Sequence, residues 1–291
     1  MSERRVLVTG ATGFIGRHAV APLRERGYDV ATASRADGVD LLAPGAAQDV
    51  VARVRPTHLL HLAWYAEHGR FWTSPENLRW VEASLALLRA FAGAGGTRAV
   101  VAGTCAEYDW DVAGVCDERT TPLRPATLYG ASKHGLRVIA EAYAAQEGFE
   151  LAWGRIFFTF GPEEAPGRIV PAVARALLAG EEARVTHGRQ VRDFLAVDEL
   201  GDAFAALLDA PGVTGPVNVA SGRAVTLRDV VAGVAAAAGA GDRVRYGAIE
   251  ARPGEPDELV ADVTRLREEV GWAPRQPLKD GLARTVDWWR A

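Results

Sequence analysis

The stretch VLVTGATGFIGRH, from Val6 to His18, constrains this chain more than any other. An apolar, strand-like run breaks into Gly10, Gly13 and Gly16, each three residues from the next, and then turns amphipathic. A strand that hands over to a helix through glycines aims free N–H groups and the positive end of the helix dipole at one point, which suits a pyrophosphate. A side chain at Gly10 would obstruct the tight turn, one at Gly13 the approaching phosphate, and one at Gly16 the packing of helix on strand. Phe14 and Ile15 lie in the same loop and are counted with the coenzyme site. The spacing is one residue longer than the common dinucleotide fingerprint, and such turns also arise for structural reasons alone. The location between a first strand and a first helix favours the dinucleotide.

The handover repeats through the first half of the chain. The strand-like DVATAS, THLLHLA, RAVVAGT and ELAWGRIFF alternate with the helix-like GRHAVAPLRERG, DVVARVRP, NLRWVEASLALLRAFAGAG and LYGASKHGLRVIAEAYAAQEG. Continuous apolar strands separated by helices predict a parallel sheet covered on both faces. Right-handed crossovers then make a doubly wound, Rossmann-type α/β fold. After Gly161 the texture changes to shorter mixed segments with turns at GPEEAPG, DAPGVTG, ARPGEPDE and WAPRQP. The reading is a dinucleotide-binding domain over 1–165 and a smaller mixed substrate-binding domain over 166–291, with segments crossing back to the first. A length of 291 residues suits that division.

The bulk numbers exclude several classes. A net charge of −4 lacks the basic excess of a general nucleic-acid binder. No apolar run reaches the ~18 residues of a membrane span, so no membrane partner is expected. The two cysteines, Cys105 and Cys116, fit no common zinc spacing, and idle thiols in a reducing cytoplasm are expected. His58, His61 and His68 form no recognisable metal set, and no metal is expected.

Coenzyme choice turns on the end of the second strand. An acidic residue there would accept a ribose 2′-OH, but the tip carries Ser34 and Arg35. A hydroxyl and a guanidinium suit a 2′-phosphate, so NADP(H) is favoured and NAD(H) kept open, with Asp37 arguing for the latter. Further on, LYGASKHG sets Tyr129 and Lys133 on one helical face. A phenol titrates near ~10. A neighbouring ammonium and an oxidised nicotinamide favour the phenolate, letting Tyr129 exchange a proton near neutral pH. Thr104 ends the strand VVAGT, at the carboxyl edge where such sheets bind ligands.

Together, TGATGFIG, HLAW, GTCAEY and YGASK resemble the short-chain dehydrogenase/reductase superfamily, and more narrowly its extended branch of nucleotide-sugar epimerases, dehydratases and ketoreductases. GRIFFTFGP, VRDFLAVDELGDAF, VNVASG and RPGEPDELVADVTRLREEVGW carry the resemblance over nearly the whole length. It implies that Tyr129 is the general acid/base, that Thr104 holds the reacting oxygen, and that Lys133 binds the nicotinamide ribose and lowers the tyrosine pKa. It sets Asp40 and Leu41 beside the adenine after a third strand. Leu62 and Ala63 would lie where the chain passes the ribose and pyrophosphate, and Arg192 and Arg252 would grip the diphosphate of a sugar nucleotide. It also implies a homodimer packed through helices around Ser84–Ala92 and Tyr129–Gln146.

Departures from the family pattern narrow the activity. Dehydratases of this branch carry Asp-Glu directly after the threonine, whereas this chain has Cys105 and Ala106, with Glu107 one place late and counted as substrate-binding. Phe158 stands where relatives often have an Asn that contacts the sugar nucleotide. The insert WYAEHGRFWTSPENLRW serves a sugar pocket, a dimer face or helix packing. The leading expectation is NADPH-dependent reduction of a nucleotide-linked 4-keto-6-deoxyhexose. The alternatives are a nucleotide-sugar 4-epimerase with bound NAD, a reductase of a non-sugar lipophilic carbonyl, and a non-catalytic NADP-sensing protein.

Overall fold

A computed structural model of the protein describes residues 4–112, 114–251 and 254–291. Strands run at β1 (Arg5–Thr9), β2 (Asp29–Ala33), β3 (His58–His61), β4 (Arg98–Thr104), β5 (Val115–Cys116), β6 (Glu150–Ile156), β7 (Phe158–Phe160), β8 (Ala183–Val185), β9 (Val191–Ala196), β10 (Gly215–Val219), β11 (Ala224–Thr226), β12 (Val244–Tyr246) and β13 (Glu258–Ala261). Helices are α1 (Gly16–Glu25), α2 (Ala46–Val54), α3 (Glu76–Gly93), α4 (Leu128–Glu147), α5 (Ile169–Leu178), α6 (Val197–Leu208), α7 (Leu227–Ala238), α8 (Thr264–Glu268) and α9 (Leu278–Arg290).

The first sheet is parallel throughout, in the order β2-β1-β3-β4-β6-β10. Its middle strands read as unbroken apolar runs because both faces are covered: every residue of β4 is buried. One face lies under α2, α3 and α4, through Val51, Leu87, Leu88, Phe91 and Leu136. The other lies under α1 and α6, through Leu23, Leu200, Phe204 and Leu207. These two helices approach so closely that a Cβ on Gly201 would stand 2.4 Å from the His18 carbonyl oxygen. Strand β1 has β2 on one side and β3 on the other, so the strand order reverses there. The crevice for a ligand therefore opens outside the carboxyl ends of β1 and β3.

Between Ser34 and Thr57 the chain forms no strand, only a 3-10 turn at Arg35–Asp37 and α2. Asp40 and Leu41 thus follow a turn rather than a third strand, which corrects that part of the expectation. The Asp40 carboxylate accepts from Leu42 N at 3.1 Å, while Leu41 is buried in the α2 core.

The second sheet runs β11-β9-β13-β5, with β7 also on β9, and β12 pairs with β8. It packs on α5, α7 and α9 through Phe160, Val173, Leu177, Val230, Val234 and Leu282. The two parts interleave along the chain: β5 precedes residue 165 yet joins the second sheet, whereas α6 and β10 follow it yet complete the first. Among the described residues no helix is long and apolar enough to cross a membrane, and no group of three or more His, Cys, Asp or Glu side chains is placed to hold a metal ion.

Candidate active site

The glycine loop lies at the reversal point. Gly10 has a φ of +73°, and a Cβ there would stand 2.7 Å from the Ala63 backbone nitrogen. Leu62 and Ala63 therefore press directly on the loop from the end of β3. A Cβ on Gly16 would come within 2.1 Å of the Gly10 carbonyl oxygen, so α1 closes on the end of β1 only without a side chain. Gly13 differs from both. It is exposed, and a Cβ there would meet only that same carbonyl oxygen, at 3.1 Å. The space it leaves is a cradle that a side chain would fill, at the point where β1 hands over to the N-terminal end of α1. Arg17 donates to the carbonyls of Thr12 and Gly13 and pairs with Glu163, tying the 161–168 loop across the cradle. These residues fit a dinucleotide pyrophosphate.

At the tip of β2, the Ser34 hydroxyl donates to the Asp37 carboxylate at 2.7 Å and accepts from Asp37 N at 3.3 Å. The hydroxyl is committed to capping the turn, and a carboxylate stands beside it. Arg35 is exposed at the same tip.

Thr104 ends β4 in extended conformation, its Oγ1 accepting from Ala106 N at 3.2 Å. Tyr129 lies in the first turn of α4, which Thr127 caps by accepting from Gly130 N at 3.1 Å. Gly130 is a functional residue the sequence reading missed. A Cβ there would stand 2.4 Å from the Ala106 carbonyl oxygen, so its absence lets α4 bring Tyr129 down onto the Thr104 turn. Thr104 lies close enough to the phenol to draw its pKa down. Burial pushes the Tyr129 phenol above its ordinary range, and Thr104 only partly opposes this.

Lys133 sits one turn further along α4, but its ammonium does not turn toward the phenol. It donates to the Ala102 carbonyl at 2.8 Å, and the Trp64 ring covers it at 3.7 Å from Nζ to centroid. Burial pulls its pKa down to about 7, with Glu107 acting the other way. The expected lowering of the phenol by the lysine is therefore absent from this arrangement, and the protein's own groups keep Tyr129 in its proton-donating form.

Glu107 is not a substrate contact. It is fully buried and reaches back to accept from Thr104 N at 2.9 Å, from Trp153 Nε1 at 2.8 Å and from Arg155 Nε at 3.1 Å. Arg155, also fully buried, donates to the Tyr108 hydroxyl at 3.0 Å, and that hydroxyl donates to Asn218 Oδ1 at 2.8 Å. One polar chain thus runs from the Thr104 turn to β10. His61 is closed in the same way, with Thr9 Oγ1 at 2.6 Å on Nδ1 and Ser84 Oγ at 2.8 Å on Nε2. Burial drops its pKa to about 3 and keeps it neutral.

On the substrate side, Arg192 is 3% exposed, donates to the Val191 carbonyl at 2.8 Å, lies 3.8 Å from Glu255 and stands 5.4 Å from the Phe158 ring centroid. Phe158 packs between Arg192 and Phe194. Arg252 lies outside the described residues. The aromatic insert folds onto Tyr129. The Trp72 carbonyl accepts from Tyr129 N at 3.1 Å, the Phe71 and Trp72 rings meet the phenol edge-on at 4.9 and 5.7 Å, and Trp110 backs Trp72 at 5.9 Å. Trp110 escaped the sequence reading because it comes from a different loop.

This arrangement has relatives of known name. A UDP-glucose 4-epimerase of Azospirillum brasilense is 28% identical over 98% of this chain and 91% of its own length. A UDP-glucose 4-epimerase of Thermus thermophilus, solved in complex with NAD, is 29% identical with a TM-score of 0.83 over 98% of this chain and 99% of that one. The UDP-glucose 4-epimerase of Thermotoga maritima, solved with UDP-glucose, shares the fold at a TM-score of 0.86 and 24% identity, covering 98% of each chain. Residues 6–220 match the profile of the NAD dependent epimerase/dehydratase family. With the glycine cradle and the Thr104–Tyr129 pair at the carboxyl edge of its sheet, the chain belongs to that family, the nucleotide-sugar branch of the extended short-chain dehydrogenase/reductases.

Proposed function

We propose that the chain moves hydride reversibly at C4 of a nucleotide-linked hexose. The observation that carries this is one convergence: α4 brings Tyr129 down beside Thr104 at the end of β4, with Lys133 one turn on and the glycine cradle at the adjoining reversal of strand order. A nicotinamide dinucleotide, held by Gly10, Gly13, Gly16 and the first turn of α1, supplies the hydride chemistry when bound. Thr104 orients the sugar oxygen. Tyr129 holds the proton at that oxygen, giving it in the reducing direction and taking it in the oxidising one. Cys105 and Ala106 offer no acid and base to expel water, which argues against dehydration.

Epimerisation with retained NAD is the first reading. The Asp37 carboxylate beside Ser34 supports it, since it would repel a 2′-phosphate, and so do the named 4-epimerases and the NAD in the Thermus complex. The second reading is NADPH-dependent reduction of a 4-keto-6-deoxyhexose. Exposed Arg35 favours it, and so does the wall of Phe71, Trp72 and Trp110 at Tyr129, which suits a sugar carrying a methyl in place of a hydroxymethyl.

The test begins by releasing and identifying any copurified coenzyme. The protein is then given UDP-galactose with no added coenzyme and, separately, NADPH with a dTDP-4-keto-6-deoxyhexose. Conversion to UDP-glucose supports the first reading, and loss of the reduced-nicotinamide absorbance the second. Tyr129→Phe should cost ~10²–10⁴ in either rate and leave coenzyme binding intact. No coenzyme uptake and no turnover in either assay overturns the proposal.

A further inference from the structure

Only two of the 33 lysine and arginine residues are lysines: Lys133, and Lys279 on the exposed start of α9. Lys133 is thus an ammonium in a chain whose other cationic side chains, Lys279 apart, are guanidinium groups. Its Nζ is held between one carbonyl, Ala102 O, and one ring face, that of Trp64. A compact point charge fits there, and a planar fork of five donors does not. The ring itself is fixed from two sides. Trp64 Nε1 donates at 2.8 Å to the Asn77 side-chain oxygen, and buried Asn77 donates to the carbonyls of Phe71 and Ser74 at 2.7 and 2.9 Å. Trp80 backs the indole at 6.2 Å.

The groups facing Lys133 leave its charge otherwise poorly supported. Glu107, from the turn after β4, is taken up by Thr104 N, Trp153 and Arg155. His61, at the end of β3, is neutral, and Tyr129, one turn earlier on α4, is a protonated phenol. We propose that Trp64 is a positioning residue whose ring face holds the Lys133 ammonium in place and in its charged form beside the coenzyme crevice. The catalytic consequence rests on the C4 hydride-transfer reading, whereas the seat itself does not. The attraction of a desolvated cation for an indole face favours the ammonium over the amine. A lysine without that face over it would release its proton at lower pH.

The experiment uses protein labelled with ¹³C-lysine, in which Lys133 and exposed Lys279 give two Cε resonances to titrate. Trp64→Leu should lower the Lys133 midpoint by about one pH unit and leave that of Lys279 alone. Trp64→Phe, which keeps an aromatic face and most of the packing, should fall between the two, so the inference stays testable if the leucine variant does not fold. The alkaline limb of kcat should move down with the midpoint. An unchanged Lys133 midpoint in a folded Trp64→Leu or Trp64→Phe variant overturns the inference. A shifted midpoint in a protein that turns over no nucleotide sugar keeps the seat and sinks the functional reading instead.

Discussion

At the end of β1 the crevice is shaped by backbone. Gly10, Gly16 and Ala63 meet through main-chain atoms at distances no Cβ tolerates, and Gly13 leaves open space. At the end of β4 it is shaped by side chains. Glu107, Trp153, Arg155, Tyr108 and Asn218, drawn from the turn after β4, from β6 and from β10, hold the Thr104 turn through charge-assisted and neutral hydrogen bonds. A backbone device needs glycines at fixed local spacing. A side-chain device needs partners that meet only after the sheet has formed. The first tolerates changes in its neighbours and no change in itself. The second fails when any single charge is left without its partner.

The largest expected effect follows from that second property. Glu107→Ala would leave the fully buried Arg155 guanidinium facing no carboxylate, at a cost of about 3–5 kcal/mol in urea unfolding. A loss under about 1 kcal/mol would mean that water or a neighbour takes over the charge, and that the β4 end is less interdependent than its geometry indicates. Gly16→Ala probes the other region. Its new methyl meets the Gly10 carbonyl oxygen rather than a flexible side chain, so about 2–3 kcal/mol should be lost as α1 lifts from β1. Coenzyme affinity should fall with it. Alanine at Gly13 should instead spare stability and weaken coenzyme binding alone, which separates the cradle from the scaffold.

The contrast also sets what the sequence reveals. The glycine loop, the alternation of strands and helices, and the Thr104–Tyr129–Lys133 order were legible because each is a local pattern. Glu107 was misread for the converse reason. Its position three residues after Thr104 resembles a displaced substrate contact, and nothing local shows that Trp153 and Arg155 will close on it from β6. The direction of the tyrosine pKa was missed because helical spacing puts Lys133 near Tyr129 without fixing where the ammonium points, and Ala102 and Trp64 decide that. The insert was visible as aromatic, yet its place over Tyr129 depends on the Trp72 carbonyl and on Trp110 from another loop.

A smaller effect concerns Glu164, in the loop that Arg17 ties across the cradle through Glu163. Its carboxyl is 4% exposed, 3.2 Å from Arg168, and burial raises its pKa from 4.5 to about 8. Below pH 4.5 the folded and unfolded chains both hold the proton. Between pH 4.5 and about 8 the unfolded chain releases it first, so this group weakens the fold as pH rises through that window, and the penalty is constant above it. Glu164→Gln should therefore match the wild type near pH ~4 and exceed it at pH ~9, by on the order of 2 kcal/mol in thermal unfolding. A gain that is equal at both pH values would assign the effect to packing rather than to charge.

The smallest expected change lies at the tip of β2, where backbone and side-chain devices meet. The Ser34 hydroxyl, the Asp37 carboxylate and the turn they cap form one unit, and exposed Arg35 stands next to it. If this tip reads the adenosine ribose, Asp37 opposes a 2′-phosphate through a solvent-screened charge, an effect of about 1 kcal/mol. Asp37→Asn keeps an acceptor for Ser34 and removes the charge. It should raise the ratio of NADPH to NADH affinity by about five-fold to ten-fold at low salt, and by less at high salt, where screening already weakens the repulsion. Arg35→Ala should move the same ratio the other way. If neither substitution changes the ratio, the β2 tip does not face the 2′ position, and coenzyme choice belongs to the Asp40–Leu41 segment that follows the turn.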